Sequence, residues 1–367
     1  MKLKKLYRSF LGKVEKLPQA IENIKNNIGE IYDIARKKSL YKNVQWTSTQ
    51  KKEFNDYWIS ISGKKISDKW HRLYENVSGK CNYKYVPEKL YTTKIEPALN
   101  DYMYGRVLSN KALVEFLCAD PNVSFPKTVL VCDMGCFYNG DRVIISYEEA
   151  VRIIQNASED LVLKKTVGSS SGRDMFFYRC GGSIDEIKNM LDELGENFIV
   201  QHKIIEHPDL AVFNPDSVNT IRVITYNTQH KTGHTPISFR IGRANKHVDN
   251  IHAGGLVIGV KEDGTLRKNA YELGYGDKAV AYSKHPDTGV VFEGSAIPRL
   301  NDIVATAERL HGRFVHVGGI SWDFTGNSDN EIVLIEANTQ AQGTWFPQMI
   351  SGEGLFGDDL PDILKMV

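Results

Sequence analysis

An apolar run, Ile332-Val333-Leu334-Ile335, ends in Glu336-Ala337-Asn338. Four consecutive aliphatic residues read as a strand buried on both faces. A carboxylate at the end of such a strand needs a partner where it sits, because an unpaired buried charge is costly. Glu336 and Asn338 are spaced i, i+2, so on a strand their side chains share one face. Asp323 follows a second apolar segment, Ile320-Ser321-Trp322, and could lie opposite them on the preceding strand. Two carboxylates and an amide oxygen suit hard Mg2+ ions bridged by phosphate oxygens. The same residues read equally as the start of a turn.

A second stretch lies about 150 residues earlier. The apolar run Leu161-Val162-Leu163 leads into Lys164, then Gly168, Ser169, Ser170, Ser171, Gly172 and Arg173, then Met175-Phe176-Phe177. That pattern predicts strand, loop, strand. A loop of small residues can fold over phosphate, offering backbone amides and hydroxyls without bulky side chains. It is not the P-loop of nucleotide hydrolases: there is no Gly-Lys-Ser/Thr, and the lysine precedes the loop. Taken alone, the loop reads as well as a hairpin without a ligand.

The chain of 367 residues is long enough for two or three lobes, and 41% hydrophobic with 25% charged residues is ordinary for a globular protein. A formal net charge of +1, and no basic stripe with interleaved aromatics, argue against a nucleic-acid partner. Five cysteines, an odd number, read as reduced thiols of a cytoplasmic protein. The first 40 residues are rich in Lys and Arg, with apolar residues at helical spacing: Leu3, Leu6 and Phe10, then Ile21, Ile24, Ile28 and Ile31. They read either as a helical extension packed on the body or as a helix that docks on a membrane surface or a partner. No run of 18 apolar residues predicts a transmembrane helix, and the start lacks a signal peptide's apolar core.

Residues 1–95 read as helical and aromatic-rich, with turns at Gly63 and Gly79. Spacing predicts helices over 104–118, 147–156, 183–194 and 302–310. Strands are predicted at 129–131, 198–201, 218–226, 237–243 and 255–260, giving an α+β chain with much antiparallel sheet.

In this order the elements resemble the ATP-grasp superfamily over roughly residues 100–350, nearest to its sugar-transfer, polysaccharide-associated group. The resemblance implies that nucleotide is held between two α+β lobes. It implies a helical region at 1–95, a linker and small α/β region at 96–157, a lid subdomain at 158–205 and a catalytic subdomain at 206–367. Lys111 and Lys164 would hold the α- and β-phosphates. Gly168, Ser169, Ser170, Ser171 and Gly172 would form the lid. Gln201, His202, Lys203 and Ile204 would hold adenine, and Asp323, Glu336 and Asn338 would bind Mg2+. Arg222 would face the γ-phosphate, and Arg240, Asn250 and His252 are candidates for the acid or the nucleophile. Arg173 stands where Gly-Lys is commoner, and Asp323 where many relatives have glutamate.

The implied activity is an ATP- and Mg2+-dependent carboxylate–amine ligase. One of its small-molecule substrates would be a sugar or sugar nucleotide in surface polysaccharide or capsule biosynthesis, with the protein in the cytoplasm and peripheral contact with the inner face of the membrane left open. The alternatives are a kinase of the same fold and a nucleotide-binding scaffold. Trp345 and Phe346, in the tail after the metal strand, read either as a stacking surface for a sugar or as core.

Overall fold

The structure is a computed structural model that describes residues 14, 17–168, 174–243, 248–249, 251, 254–273 and 279–367, apart from the side chains of Gln19 and Tyr102. The N-terminal region is helical, as its pattern predicts. Its main helices are Leu17–Arg36, Ser48–Ser62 and Lys69–Ser78. Thr47 and Gln50 close a reciprocal capping box at the start of the second. Gly63 and Gly79 end the second and third with positive φ, the left-handed cap that glycine adopts without strain. Trp46, Phe54 and Trp58 pack edge-on around a fully buried His71, whose pKa burial lowers to about 3.

The first sheet has six strands: β1 (Thr128–Asp133), β2 (Cys136–Asn139), β3 (Ile144–Ile145), β4 (Leu161–Lys165), β5 (Met175–Tyr178) and β6 (Phe198–His202). Their order is β3-β2-β1-β6-β4-β5, antiparallel throughout. The helices Tyr147–Gln155 and Ile184–Leu194 bury Ile154, Ile187 and Leu191 against Leu130, Leu163 and Phe198 of this sheet. Each starts at a serine, Ser146 or Ser183, whose hydroxyl accepts the N–H three residues on, with two acidic residues in the first turn.

The second sheet contains β7 (Thr220–Asn227), β8 (Thr232–His234), β9 (Ser238–Ile241), β10 (Leu256–Val260), β11 (Leu266–Glu272), β12 (Val280–Tyr282), β13 (Gly319–Gly326) and β14 (Ile332–Asn338). The path runs β12-β11-β10-β9-β7-β13-β14, with β8 on β7. One face, carrying Ile221, Phe239, Ile258 and Trp322, packs on the helix Leu300–His311 through Ile303, Ala307 and Leu310. The opposite face carries polar residues in its middle. Beyond them Val257 and Tyr271 meet Trp70, Tyr74, Phe346 and Met349, so the N-terminal helices cover that flank.

Two sequence readings change here. The predicted helix over 104–118 is two helices, Tyr102–Leu108 and Val114–Leu117, separated by a break at Lys111. Trp345 and Phe346 open the helix Trp345–Ser351, stack on each other at 3.9 Å and pack in the core with Trp70 and Met349. Of the two readings of the tail, the structure favours core.

Candidate active site

The polar middle of the second sheet is set by strand register. Asp323 on β13 lies opposite Arg222 on β7 and Glu336 on β14. Arg222 grips Asp323 in a bidentate pair, Nε to Oδ1 and Nη2 to Oδ2, both 2.7 Å. Arg240 reaches the same Oδ2 at 3.5 Å and gives its other nitrogen to Asp249 at 3.3 Å. Asp249 is steadied in turn by the Thr220 hydroxyl. Burial works against the charge on Arg222, but Asp323 outweighs it and the guanidinium stays protonated. For Asp249 burial is the largest influence and raises the carboxyl, while Arg240 and Thr220 oppose it.

Glu336 anchors a second group. Its Oε2 lies 3.1 Å from Lys111 Nζ, and its Oε1 accepts a 3.0 Å hydrogen bond from the Asn338 amide. Burial favours the neutral acid, but Lys111, Asn338 and Arg222 overcome it and hold Glu336 well below the ordinary carboxylate range. The helix break brings Lys111 here. Asn110 accepts the Ala112 N–H at 2.9 Å, and the Lys111 N–H leaves its helix to bond Thr166 O at 3.0 Å, just past β4. Gly105 assists. A methyl there would overlap the Thr339 hydroxyl, so glycine lets the helix Tyr102–Leu108 close on the end of β14.

Lys164 sits on β4 opposite Ile199 and is only 6% exposed. Burial pushes its pKa down to about 8, the Lys111 cation pushes the same way, and Glu336 opposes. Lys111, Lys164, Arg222 and Arg240 thus converge on Asp249, Asp323 and Glu336. A buried group with cations in excess suits a polyanion.

Hard cations also fit the donor set. An ionised carboxylate has about four lone-pair directions. Asp323 gives three to N–H groups and Glu336 gives two, so acceptor capacity remains on both. With its nitrogen committed to Glu336, Asn338 keeps its amide oxygen as a further acceptor.

Of the residues expected to hold adenine, Gln201 and His202 end β6 and Lys203 and Ile204 follow it. Gln201 is buried and donates to Pro126 O at 3.1 Å, so its side chain serves the fold. The N–H groups of His202 and Lys203 bond Lys127 O and Asp160 O, both 2.9 Å, and His202 Nδ1 lies 2.8 Å from Glu159. Lys203, Ile204 and Val218 line a recess of about 420 Å3, within the range of small-molecule sites. Ser169, Ser170, Ser171, Gly172, Arg173, Asn250 and His252 lie outside the described residues; Gly168 is described and has positive φ. Neither Asp249 nor Thr220 is among the candidate site residues read from the sequence, although Asp249 opens the segment that the family resemblance puts on the substrate side. The signal was a carboxylate in the segment around Asn250 and a hydroxyl two residues before Arg222 on the same strand face.

A family profile described as sugar-transfer associated ATP-grasp matches residues 90–363. The chain belongs to this family. The two antiparallel sheets with their helices are its ATP-grasp fold. Comparison with curated proteins gives no match. Among solved structures the chain is similar to biotin carboxylase from Campylobacter jejuni, with 12% identity over 71% of this chain and 46% of that one, and a TM-score of 0.43. It is similar to D-alanine-D-alanine ligase from Coxiella burnetii, with 10% identity over 71% and 57% of the two chains and a TM-score of 0.41. The ADP complex of purK, an N5-carboxyaminoimidazole ribonucleotide synthetase, gives 14% identity over 66% and 51% and a TM-score of 0.39. The ATP-grasp chain spans about half the length of these structures. Among its described residues no helix is long and apolar enough to cross a membrane.

Proposed function

We propose that this ATP-grasp protein is an ATP-dependent carboxylate–amine ligase that works through an acylphosphate. It would form an amide between an amino acid and a sugar or sugar acid in surface polysaccharide biosynthesis. The observation that carries the reading is the convergence of Lys111, Lys164 and Arg222 on Asp323, Glu336 and Asn338 of β13 and β14.

Lys111 and Lys164 neutralise the α- and β-phosphates, and the recess at Lys203 and Ile204 takes the adenine. Asp323, Glu336 and the Asn338 oxygen would hold Mg2+, which would supply positive charge to neutralise the phosphates. A substrate carboxylate attacks the γ-phosphorus, the bond to the β-bridging oxygen breaks, and ADP leaves. The amine then attacks the acyl carbon, phosphate departs with the C–O electrons, and the amine gives up a proton. Arg222 and Arg240 balance the charge of the transferring phosphoryl group, which is mostly positioning and electrostatic work. The lid that the sequence places at Gly168–Gly172 would keep water from the acylphosphate.

The test is ADP release from Mg-ATP with uronic acids and amino acids, singly and in pairs, for wild type and Glu336→Ala. Release that needs both an acid and an amine, and is lost in the variant, supports the ligase. A stable phosphorylated product from one hydroxyl compound makes the protein a kinase. Nucleotide binding without turnover on any pair favours the scaffold.

A further inference from the structure

The helix Leu17–Arg36 presents its polar side to its own body. It packs on the segments Glu88–Leu90 and Tyr91–Ile95 with Glu30 buried and Asn26 and Asp33 half-buried. Ile34, near its C-terminal end, packs on the body, but the other large aliphatic residues point the other way. Leu17, Ile21, Ile24, Ile28 and Ile31 are each 53–65% exposed. An amphipathic helix of a globular protein normally does the reverse.

The exposed residues recur in alternating steps of four and three. That 3.5-residue period forms a narrow seam in which the residues of one helix fit between those of another. Three of the positions fall in one heptad class and two in the other, and four of the five are isoleucine, a β-branched residue that suits such seams. Val14, also exposed, falls at the next position back.

Area points the same way. Each aliphatic side chain brings on the order of 100 Å2 of apolar surface. The five from each of two copies remove on the order of 1,000 Å2 from water, the threshold for a specific interface. Exposed Tyr32 beside the seam adds to this. A bilayer fits less well along the helix itself: its two cations, Lys25 and Arg36, are outnumbered by Glu22, Glu30 and Asp33, and Lys25 pairs with Glu22; the basic residues on either side of the helix make lipid the competing occupant that the test addresses.

We infer that the Leu17–Arg36 helix is a self-association element, and that its Leu/Ile seam packs against the same seam of a second copy of this chain.

The test is sedimentation velocity on the full chain at micromolar concentration, for wild type and Ile24→Glu/Ile28→Glu. Both substituted side chains point outward, so circular dichroism and the urea midpoint should match wild type. The expected result is an oligomer for wild type and at least ~100-fold weaker self-association in the variant, because the substitution removes seam contacts and sets like charges against each other. A monomeric wild type overturns the inference, as does an oligomer that the substitution leaves intact. The basic residues Lys2, Lys4, Lys5 and Arg8 earlier in the sequence motivate a vesicle arm. A wild-type monomer that floats with phosphatidylglycerol vesicles, and is released by the same substitution, assigns the seam to lipid and likewise overturns it.

Discussion

Lys164→Met should make the protein more stable and less able to bind nucleotide. Lys164 is 6% exposed, and burial with the nearby Lys111 cation brings its pKa to about 8 from an ordinary value of 10.5. At 1.36 kcal/mol per pH unit, holding this ammonium charged in the fold costs about 3 kcal/mol. The sign follows from linkage. The folded state binds fewer protons than the unfolded state between pH 8 and 10.5, so the penalty is complete below pH 8 and is relieved as pH rises towards 10.5. Methionine fills a similar volume without the charge. Allowing for lost attraction to Glu336, the variant should gain about 1–3 kcal/mol at pH 7, shrinking steadily above pH 8. Urea unfolding at pH 7 and at pH 10 measures both the gain and its decay. Nucleotide affinity, read by calorimetry, should fall by at least ~10-fold, since a phosphate loses a desolvated cation. A variant that is less stable at pH 7, by an amount that does not change with pH, would refute the reasoning.

The Lys111–Glu336 pair should show coupling in a double-mutant cycle. Lys111→Met and Glu336→Gln should each destabilise by about 1–3 kcal/mol in urea, with the double variant costing clearly less than their sum, and additivity within about 0.5 kcal/mol would deny the pair. The depressed pKa of Glu336 contributes stability that is present above its unfolded value and lost as pH falls through the folded one. Glu336→Gln should therefore flatten the acid limb of the stability curve, and an unchanged limb in urea titrations below pH 4.5 would contradict the assignment. Gly105→Val should cost about 1–3 kcal/mol through overlap with Thr339 and should weaken nucleotide binding by displacing Lys111. Equal urea midpoints for the variant and wild type would show that the helix moves freely.

What could be read from the sequence was what short-range chemistry decides. The two-residue period puts Glu336 and Asn338 on one strand face, serine followed by two glutamates marks the helix at Tyr147–Gln155, and apolar spacing marks the one at Ile184–Leu194. The break at Lys111 escaped because no glycine or proline interrupts the pattern there. The N–H that would continue the helix is taken by Thr166, some fifty residues away in sequence. Asp249 escaped for the same reason, since its importance comes from Arg240 and Thr220 on neighbouring strands. The strands Cys136–Asn139 and Leu266–Glu272 were missed as well; one is short, and the other carries Arg, Lys and Asn among its apolar residues. The N-terminal helix shows the limit most sharply. Its isoleucine spacing is plain in the sequence, yet spacing cannot say which face meets the body. Burial of Glu30 decides that, and of the two readings of the pattern it leaves the one with an exposed seam. The polar face of the second sheet and the seam therefore differ in kind. The first is assembled by register between distant strands, whereas the second is written along one helix, so substitutions in the seam can change assembly while leaving the cluster around Glu336 intact.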